Sequence, residues 1–216
     1  MKRFRAFVFD LDGTLVDSRP AIEKAAQIAI DRVAPSHSGC RVTAAIGPPI
    51  RQMFATVLQT TDPGLLDALV TVFRDVYDCD VCRETPAYPG VADLLARIAA
   101  SGASSFVLTN KPIVPTQAIL SALGLASNVR EIVTPDSAQA PFLSKSDALA
   151  ALLDRHGLSP AHTVMVGDSA DDAAAAEACG VVFAAALYGY GNLPADAASR
   201  NWLTIEKPAD MIFFLA

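Results

Sequence analysis

The feature that most restricts the fold of this chain is the alternation of short apolar runs with stretches in which apolar residues recur at helical spacing. Short apolar runs of this kind are typical of strands that are buried on both faces. Strands that alternate with helices indicate βαβ units and a parallel sheet. We therefore predict a doubly wound α/β core. Its predicted strands are residues 6–9, 105–108, 131–133, 163–166 and 181–185.

The stretch from residue 18 to about residue 86 interrupts this alternation, because helical patterns follow one another there without a convincing strand. Its three apolar stripes begin near Ile22, Ile50 and Leu65, and such stripes are packing surfaces of amphipathic helices. We interpret residues 17–85 as an inserted all-helical domain and residues 1–16 and 86–216 as the α/β core. The C-terminal segment 202–216 is expected to add an edge strand and a short helix.

Length and composition limit the classes of function. The chain has 216 residues, of which 52% are hydrophobic, and this suits a single α/β body with an insertion that folds on its own. The net charge of −6 gives no general attraction to nucleic acid or to anionic lipid. No apolar run approaches the roughly 18 residues of a membrane span. Residues 1–5 lead directly into the first strand, so we expect a cytoplasmic protein.

The four cysteines offer one suggestive spacing, Cys79 and Cys82. A structural zinc site needs a second pair of ligands, and none is spaced for it. A redox pair of the thioredoxin kind usually opens a helix, whereas this pair closes a helical stretch. We expect ordinary reduced thiols.

Two carboxylates stand directly after the first predicted strand, at Asp10 and Asp12, and Gly13 follows them. In open α/β sheets, ligands bind beyond the carboxyl ends of the strands, near the point where the strand order reverses. Glycine permits a tight turn and a close approach of backbone N–H groups to an anion. Both acids are therefore candidates for a functional site.

Further polar groups follow other predicted strands. Thr109 and Asn110 come after residues 105–108 and can donate hydrogen bonds to phosphate oxygens without adding charge. Asp168 and Asp172 come after residues 163–166, and Lys145 lies at the start of the helix before that strand. Together these side chains predict a pocket for a divalent cation and a phosphoryl group.

The residue types suit phosphoryl transfer. A phosphate monoester dianion repels an attacking carboxylate, so a hard cation such as Mg²⁺ is needed to neutralise charge. Asp10 and Asp168 are suitable ligands for Mg²⁺. With the metal and Lys145 compensating charge, Asp10 can attack phosphorus and form an acyl phosphate. Asp12 is a candidate acid for the leaving oxygen and later a base for the attacking water.

Four segments, taken in order, resemble the motifs of the haloacid dehalogenase superfamily. The similarity is to the phosphoglycolate phosphatase-like branch, which carries a helical cap of the C1 type after the first strand of a Rossmann-like core. The segments are DLDGTL at residues 10–15, LTN at residues 108–110, Lys145, and GDSADD at residues 167–172. One departure is Ser146, where relatives commonly have proline.

The resemblance also implies roles for the residues of the metal site. Asp10 would be the nucleophile and a metal ligand, Asp12 the acid/base that also gives its backbone carbonyl to Mg²⁺, and Asp168 the remaining ligand.

The resemblance assigns the phosphate-binding residues as well. Thr109, Asn110 and Lys145 would hold the phosphate, and Asp172 would orient Lys145. The loop at residues 46–51 resembles the cap loop that faces the substrate, so Arg51 is a candidate to bind a carboxylate or a second phosphate.

The leading hypothesis is a magnesium-dependent phosphatase for a small phosphorylated metabolite, a monoester like 2-phosphoglycolate, acting as a monomer or homodimer. A nucleotidase, a pyrophosphatase or a sugar-phosphate mutase would use the same intermediate and stays open. A phosphoaspartate receiver domain is disfavoured, because receivers carry the acceptor after the third strand and lack a helical insertion. A dehalogenase is disfavoured, because halide departure does not need the general acid that Asp12 offers.

Overall fold

The computed structural model describes residues 3–43, 46, 48–136, 142, 144–194 and 200–215. The strands in this part of the chain are β1 (Ala6–Phe9), β2 (Ser104–Leu108), β3 (Glu131–Val133), β4 (Thr163–Gly167), β5 (Val182–Ala186) and β6 (Leu203–Ile205). The α-helices are α1 (Arg19–Val33), α2 (Ile50–Leu58), α3 (Pro63–Cys79), α4 (Val91–Ala100), α5 (Ile113–Ala122), α6 (Lys145–His156) and α7 (Ala170–Ala178). Short 3₁₀ helices are Pro35–His37, Val81–Glu84, Ala126–Asn128, Pro160–His162 and Pro208–Phe214.

The strands form one parallel sheet in the order β3-β2-β1-β4-β5-β6. The chain runs outward from β1 to β3 and then returns to place β4 on the other side of β1, so the order reverses between β1 and β4. Phe9 pairs with Val107 of β2 and with Val166 of β4, and the carboxyl ends of these strands therefore lie level. The predicted doubly wound α/β fold is confirmed. β6 lies at a sheet edge, as expected for the C-terminal segment.

The alternation of side chains along β1 supplies both faces of the core. Ala6 and Val8 are buried in a cluster with Leu149 of α6 and with Ala176 of α7. Phe7 and Phe9 point to the opposite face, where their rings stack with centroids 6.2 Å apart. Because β1 is buried on both faces, it holds the residues that follow it in a fixed position.

The chain divides into two compact units, Met1–Asp17 with Pro86–Ala216, and Ser18–Thr85. The first unit contains the sheet. The second contains α1, α2 and α3, and its limits lie within one residue of those predicted for the helical insertion. The role of this unit as a cap stays a prediction.

The helical unit has its own apolar contacts. α1 and α2 both pack against α3, and the rings of Phe73 and Tyr77 of α3 stack at 5.2 Å, with Phe54 of α2 edge-on to Phe73. Asp62 caps α3, because its carboxylate accepts hydrogen bonds from the N–H groups of Gly64 and Leu65. No helix among the described residues is both long and apolar enough to cross a bilayer.

Candidate active site

Asp10 is the first residue after β1, and its backbone extends the sheet. Its N–H donates a hydrogen bond to the carbonyl of Val166 at 2.9 Å, which continues the pairing of β1 with β4. The chain then turns back sharply, because the N–H of Gly13 bonds the carbonyl of Val16 at 2.8 Å and Gly13 has a φ of +82°. This loop carries Asp12. Both acids therefore lie at the strand end where the sheet order reverses.

Lys145 lies at the centre of the site. It is the first residue of α6, whose N-cap Ser144 accepts a hydrogen bond from the N–H of Asp147. The Lys145 ammonium is 2.8 Å from Oδ1 of Asp10 and 2.5 Å from Oδ1 of Asp172, and its side chain is 3% exposed. One buried cation therefore links the residue after β1 to the first turn of α7.

Asp172 uses both of its carboxylate oxygens. Oδ1 pairs with Lys145, and Oδ2 accepts hydrogen bonds from the N–H of Ser169 at 3.1 Å and from its hydroxyl at 2.6 Å. The second set of contacts belongs to a capping box that begins α7. Asp172 is thus held by the helix that it starts and in turn holds Lys145. Asp172 needs this arrangement of contacts in order to orient Lys145, and that orienting role stays a prediction.

Asp168 follows β4 and is 3% exposed. Its Oδ2 accepts hydrogen bonds from the backbone N–H groups of Tyr190 and Gly191 at 2.9 and 2.7 Å. One oxygen each from Asp10, Asp168 and Asp172 lies within 4.8 Å of the others. These three buried carboxylates form an acidic cluster of a size that can hold a metal ion.

The cluster carries more negative charge than Lys145 balances. Burial raises the pKa of Asp10 to about 7, against the opposing effect of Lys145, and Asp172 and Asp168 raise it further. Burial and then Asp172 raise the pKa of Asp168 to about 6, although the bonds from Gly191 and Tyr190 lower it. Burial alone would lower the pKa of Lys145, but Asp10 and Asp172 outweigh it and raise that pKa. The site therefore favours a further cation.

Asp12 has a partner that the sequence reasoning missed. The ammonium of Lys111 lies 3.2 and 3.0 Å from the two carboxylate oxygens of Asp12, and the two side chains are 7% and 27% exposed. Lys111 follows Asn110 at the end of β2. A lysine in that position was the available signal, because the end of β2 lies beside the end of β1.

The two neutral groups predicted to hold phosphate have other partners here. Thr109 is buried, its N–H continues the pairing of β2 with β3, and its hydroxyl accepts a hydrogen bond from the N–H of Lys111 at 3.2 Å. The side-chain amide of Asn110 donates to Asp171 at 2.9 Å. Asp171 is itself exposed. The phosphate contacts of Thr109 and Asn110 stay predictions.

Arg51 belongs to the helical unit. Its guanidinium forms an ion pair with Asp67 of α3 and contacts the carbonyl of Pro63 at 3.5 Å. The Arg51 side chain is 45% exposed. Its predicted contact with substrate stays a prediction, and Gly47 of the loop before it lies outside the described residues. Neither Cys79 nor Cys82 forms a disulfide, and the first is exposed and the second buried.

Comparison with known proteins gives the family. Residues 4–180 match the model of the haloacid dehalogenase-like hydrolases. The chain belongs to this family. The resemblance inferred from the four motifs is thereby confirmed, as is the prediction of an enzyme of the hydrolase class.

Relatives and solved structures agree with this assignment. The chain is 35% identical to a phosphoglycolate phosphatase of Rhodospirillum rubrum, over 88% of this chain and 82% of that protein. It is 28% identical to a 5'-nucleotidase of Pseudomonas aeruginosa, over 88% and 86% of the two chains. The crystal structure of a predicted phosphoglycolate phosphatase from Haemophilus somnus superposes with a TM-score of 0.83 at 26% identity, covering 99% of this chain and 98% of that one. These matches support the phosphoglycolate phosphatase-like branch.

Proposed function

We propose that this haloacid dehalogenase-like hydrolase is a magnesium-dependent phosphatase that cleaves a small organic phosphate monoester through a phosphoaspartate on Asp10. The observation that carries the proposal is the buried contact of Lys145 with Asp10 and Asp172, beside Asp168. A carboxylate nucleophile needs cations around it before it can approach a phosphate dianion. Lys145 supplies one such charge, and the acid-rich cluster suits a second.

The residues present fit Mg²⁺ as the second cation. Magnesium prefers oxygen ligands, few of them from protein, and Asp10 and Asp168 each offer a carboxylate oxygen, with the Asp12 carbonyl as a third ligand by family resemblance. Asp172 is less suited, since Lys145 and the capping box use both of its oxygens. Burial, and after it the neighbouring acids, raise the pKa values of Asp10 and Asp168, and a bound cation would offset the cost of their ionised forms. When bound, the ion would withdraw charge from the phosphoryl oxygens.

The first half of the reaction uses Asp10, Lys145 and Asp12. A carboxylate oxygen of Asp10 attacks phosphorus in line, and the bond from phosphorus to the ester oxygen breaks as the acyl phosphate forms. Lys145 stays beside the attacking carboxylate and neutralises charge on the transferring group. Asp12 donates a proton to the leaving alcohol.

The second half returns the enzyme to its starting state. Asp12, now ionised, accepts a proton from a water molecule, which attacks the phosphorus of the acyl phosphate. The bond between phosphorus and Asp10 breaks, inorganic phosphate leaves, and the Asp10 carboxylate is restored. Lys111 holds the carboxylate of Asp12 in place for both proton transfers, because its ammonium contacts both oxygens.

The substrate that we favour is 2-phosphoglycolate or a similar small monoester, with the helical unit Ser18–Thr85 as the cap that selects it. The 35% identical relative is named for phosphoglycolate. A nucleotide monophosphate is the second candidate, because a 28% identical relative is named a 5'-nucleotidase. Both candidates share the proposed chemistry at Asp10.

The test is turnover of a panel of phosphate esters by the purified chain, with Mg²⁺ and with EDTA. We expect fastest turnover of 2-phosphoglycolate, loss of turnover in EDTA and recovery with Mg²⁺. Asp10→Asn should lower kcat at least about a thousandfold, because the amide is a poor nucleophile, while circular dichroism stays unchanged. Wild-type rates in Asp10→Asn would refute the phosphoaspartate. A nucleotide as the best ester would move the assignment to a nucleotidase.

A further inference from the structure

The segment Tyr188–Gly191, which follows β5, surrounds the carboxylate of Asp168. The backbone N–H groups of Tyr190 and Gly191 both donate to Oδ2 of Asp168, at 2.9 and 2.7 Å. Hydrogen bonds to an ionised acceptor are among the stronger ones in proteins. Two of them on one oxygen fix the rotation of the carboxylate. Within the described part of the chain, Oδ1 of Asp168 accepts no hydrogen bond.

The glycines of this segment permit the close approach. A Cβ placed on Gly189 would overlap the side chain of Asp168 and lie 2.5 Å from the carbonyl oxygen of Gly13. A Cβ placed on Gly191 would overlap the Asp168 backbone and lie 2.8 Å from its Cγ. Real Cβ atoms do not make contacts this short. A side chain at either position would therefore displace the segment from Asp168.

The same segment also contacts the loop that follows β1. The hydroxyl of Tyr188 donates to the carbonyl of Thr14 at 2.8 Å, and burial raises the pKa of that hydroxyl, so it stays a donor. Its ring packs edge-on against Tyr88 at 4.9 Å. One short segment thus touches both chain stretches that carry the proposed metal ligands.

We propose that Tyr188–Gly191 is the element that positions Asp168 for the divalent cation: its two amides occupy Oδ2 and leave Oδ1 as the single oxygen that binds the ion. This inference rests on the cation of the proposed function. It assigns positioning roles to Gly189 and Gly191, although neither residue has a polar side chain that would indicate a role in the site. The physical reason is that a carboxylate fixed before binding loses little rotational freedom when the ion arrives.

The experiment measures binding of Mn²⁺ alone, from its free-ion EPR signal, to the full chain. Mn²⁺ takes the same oxygen ligands as Mg²⁺. Gly189→Ala and Gly191→Ala should each raise the Kd at least about tenfold. Gly39→Ala is the matched control, because a Cβ there meets nothing within 4 Å, and its Kd should equal that of the wild type. Folded glycine variants that bind Mn²⁺ as the wild type does would overturn the proposal, as would a wild type that does not bind Mn²⁺.

A second measurement decides the question if the glycine variants do not fold. In ¹⁵N-labelled wild type, Mg²⁺ should shift the amide resonances of Tyr190 and Gly191 and leave that of Gly39 in place. Unchanged resonances at saturating Mg²⁺ would overturn the proposal. Weakened ion binding in the variants together with no ester turnover by the wild type would instead defeat the phosphatase function and leave the positioning role standing.

Discussion

Two sets of ion-paired side chains, one in each compact unit, differ in what surrounds them. In the α/β unit, Lys145 is 3% exposed and pairs with two buried acids, one directly after β1 and one in the first turn of α7. In the helical unit, Arg51 pairs with Asp67, and their side chains are 45% and 71% exposed. Both contacts are short. The first is fixed by strand ends and a helix cap, whereas water competes for the second.

The difference teaches that a contact distance alone does not give its energetic weight. An exposed pair gains little, because water screens the charges and two long side chains lose freedom. A buried pair costs much to desolvate, and removal of one partner leaves an uncompensated charge. Proteins retain such a costly arrangement most often where chemistry needs it. The following substitutions test whether the two pairs of this chain behave in these different ways.

The largest effect should come from Lys145→Met. It leaves Asp10 and Asp172 buried without their cation, and we expect a loss of about 3–5 kcal/mol in the free energy of unfolding. Urea denaturation measures it. The control is Lys24→Met, which removes an exposed pair with Glu84 and should cost less than about 1 kcal/mol. Equal losses in the two variants would show that burial does not distinguish the pairs.

A pH series tests the acids around Lys145. Asp10 and Asp168 have folded pKa values of about 7 and 6, above the ordinary 3.8. Between pH 3.8 and the folded pKa of each acid, the folded chain retains protons that the unfolded chain has released. The free energy of unfolding therefore falls as pH rises through this range. In EDTA we expect the free energy of unfolding to fall by about 2–4 kcal/mol from pH 5 to pH 8. This fall should be smaller in Asp10→Asn. Added Mg²⁺ should make the fall with pH smaller. A pH-independent value in EDTA would contradict the buried-acid interpretation.

Lys111 is an intermediate case, because its pair with Asp12 is only partly exposed. Lys111→Met should lower kcat about tenfold for an alkyl phosphate, because Lys111 holds Asp12 in position and this poor leaving group needs the proton that Asp12 donates. The same variant should lose less activity toward p-nitrophenyl phosphate, whose leaving group needs no proton. Steady-state kinetics with both esters provides the comparison. An equal loss with both would mean that Lys111 does not act through Asp12.

The smallest effect on stability should come from Arg51→Met, below about 1 kcal/mol in the free energy of unfolding, since its pair is exposed. The same variant tests the predicted contact of Arg51 with a substrate carboxylate. That contact requires KM for 2-phosphoglycolate to rise about tenfold while KM for p-nitrophenyl phosphate does not change. Arg74→Met, at an exposed position of α3, is the control. An unchanged KM for 2-phosphoglycolate would exclude the contact.

The bounds of the strands could be predicted closely, because a strand that is buried on both faces is a short apolar run with turn residues on either side. The observed bounds of β1 to β5 differ from the predicted ones by no more than one residue. The acids after β1 and β4 were also visible, because a carboxylate that directly follows a buried strand is costly unless it has a partner. Lys111 and the amides of Tyr190 and Gly191 were not identified in this way. The position of Lys111 at the end of β2 gives a signal only once β2 is known to lie beside β1, and a backbone N–H carries no sequence pattern.

The amino-acid sequence by itself determined the α/β class and the helical insertion, and it indicated the candidate residues of the site, because periodicity and strand-end polarity are local properties. Only the tertiary structure decided which of these residues meet. Lys145 reaches Asp10 across 135 residues and Lys111 reaches Asp12 across 99, and these contacts depend on the order of the strands in the sheet. Local patterns specify which face of a strand is buried, but the neighbours of each strand are chosen by packing of the whole chain.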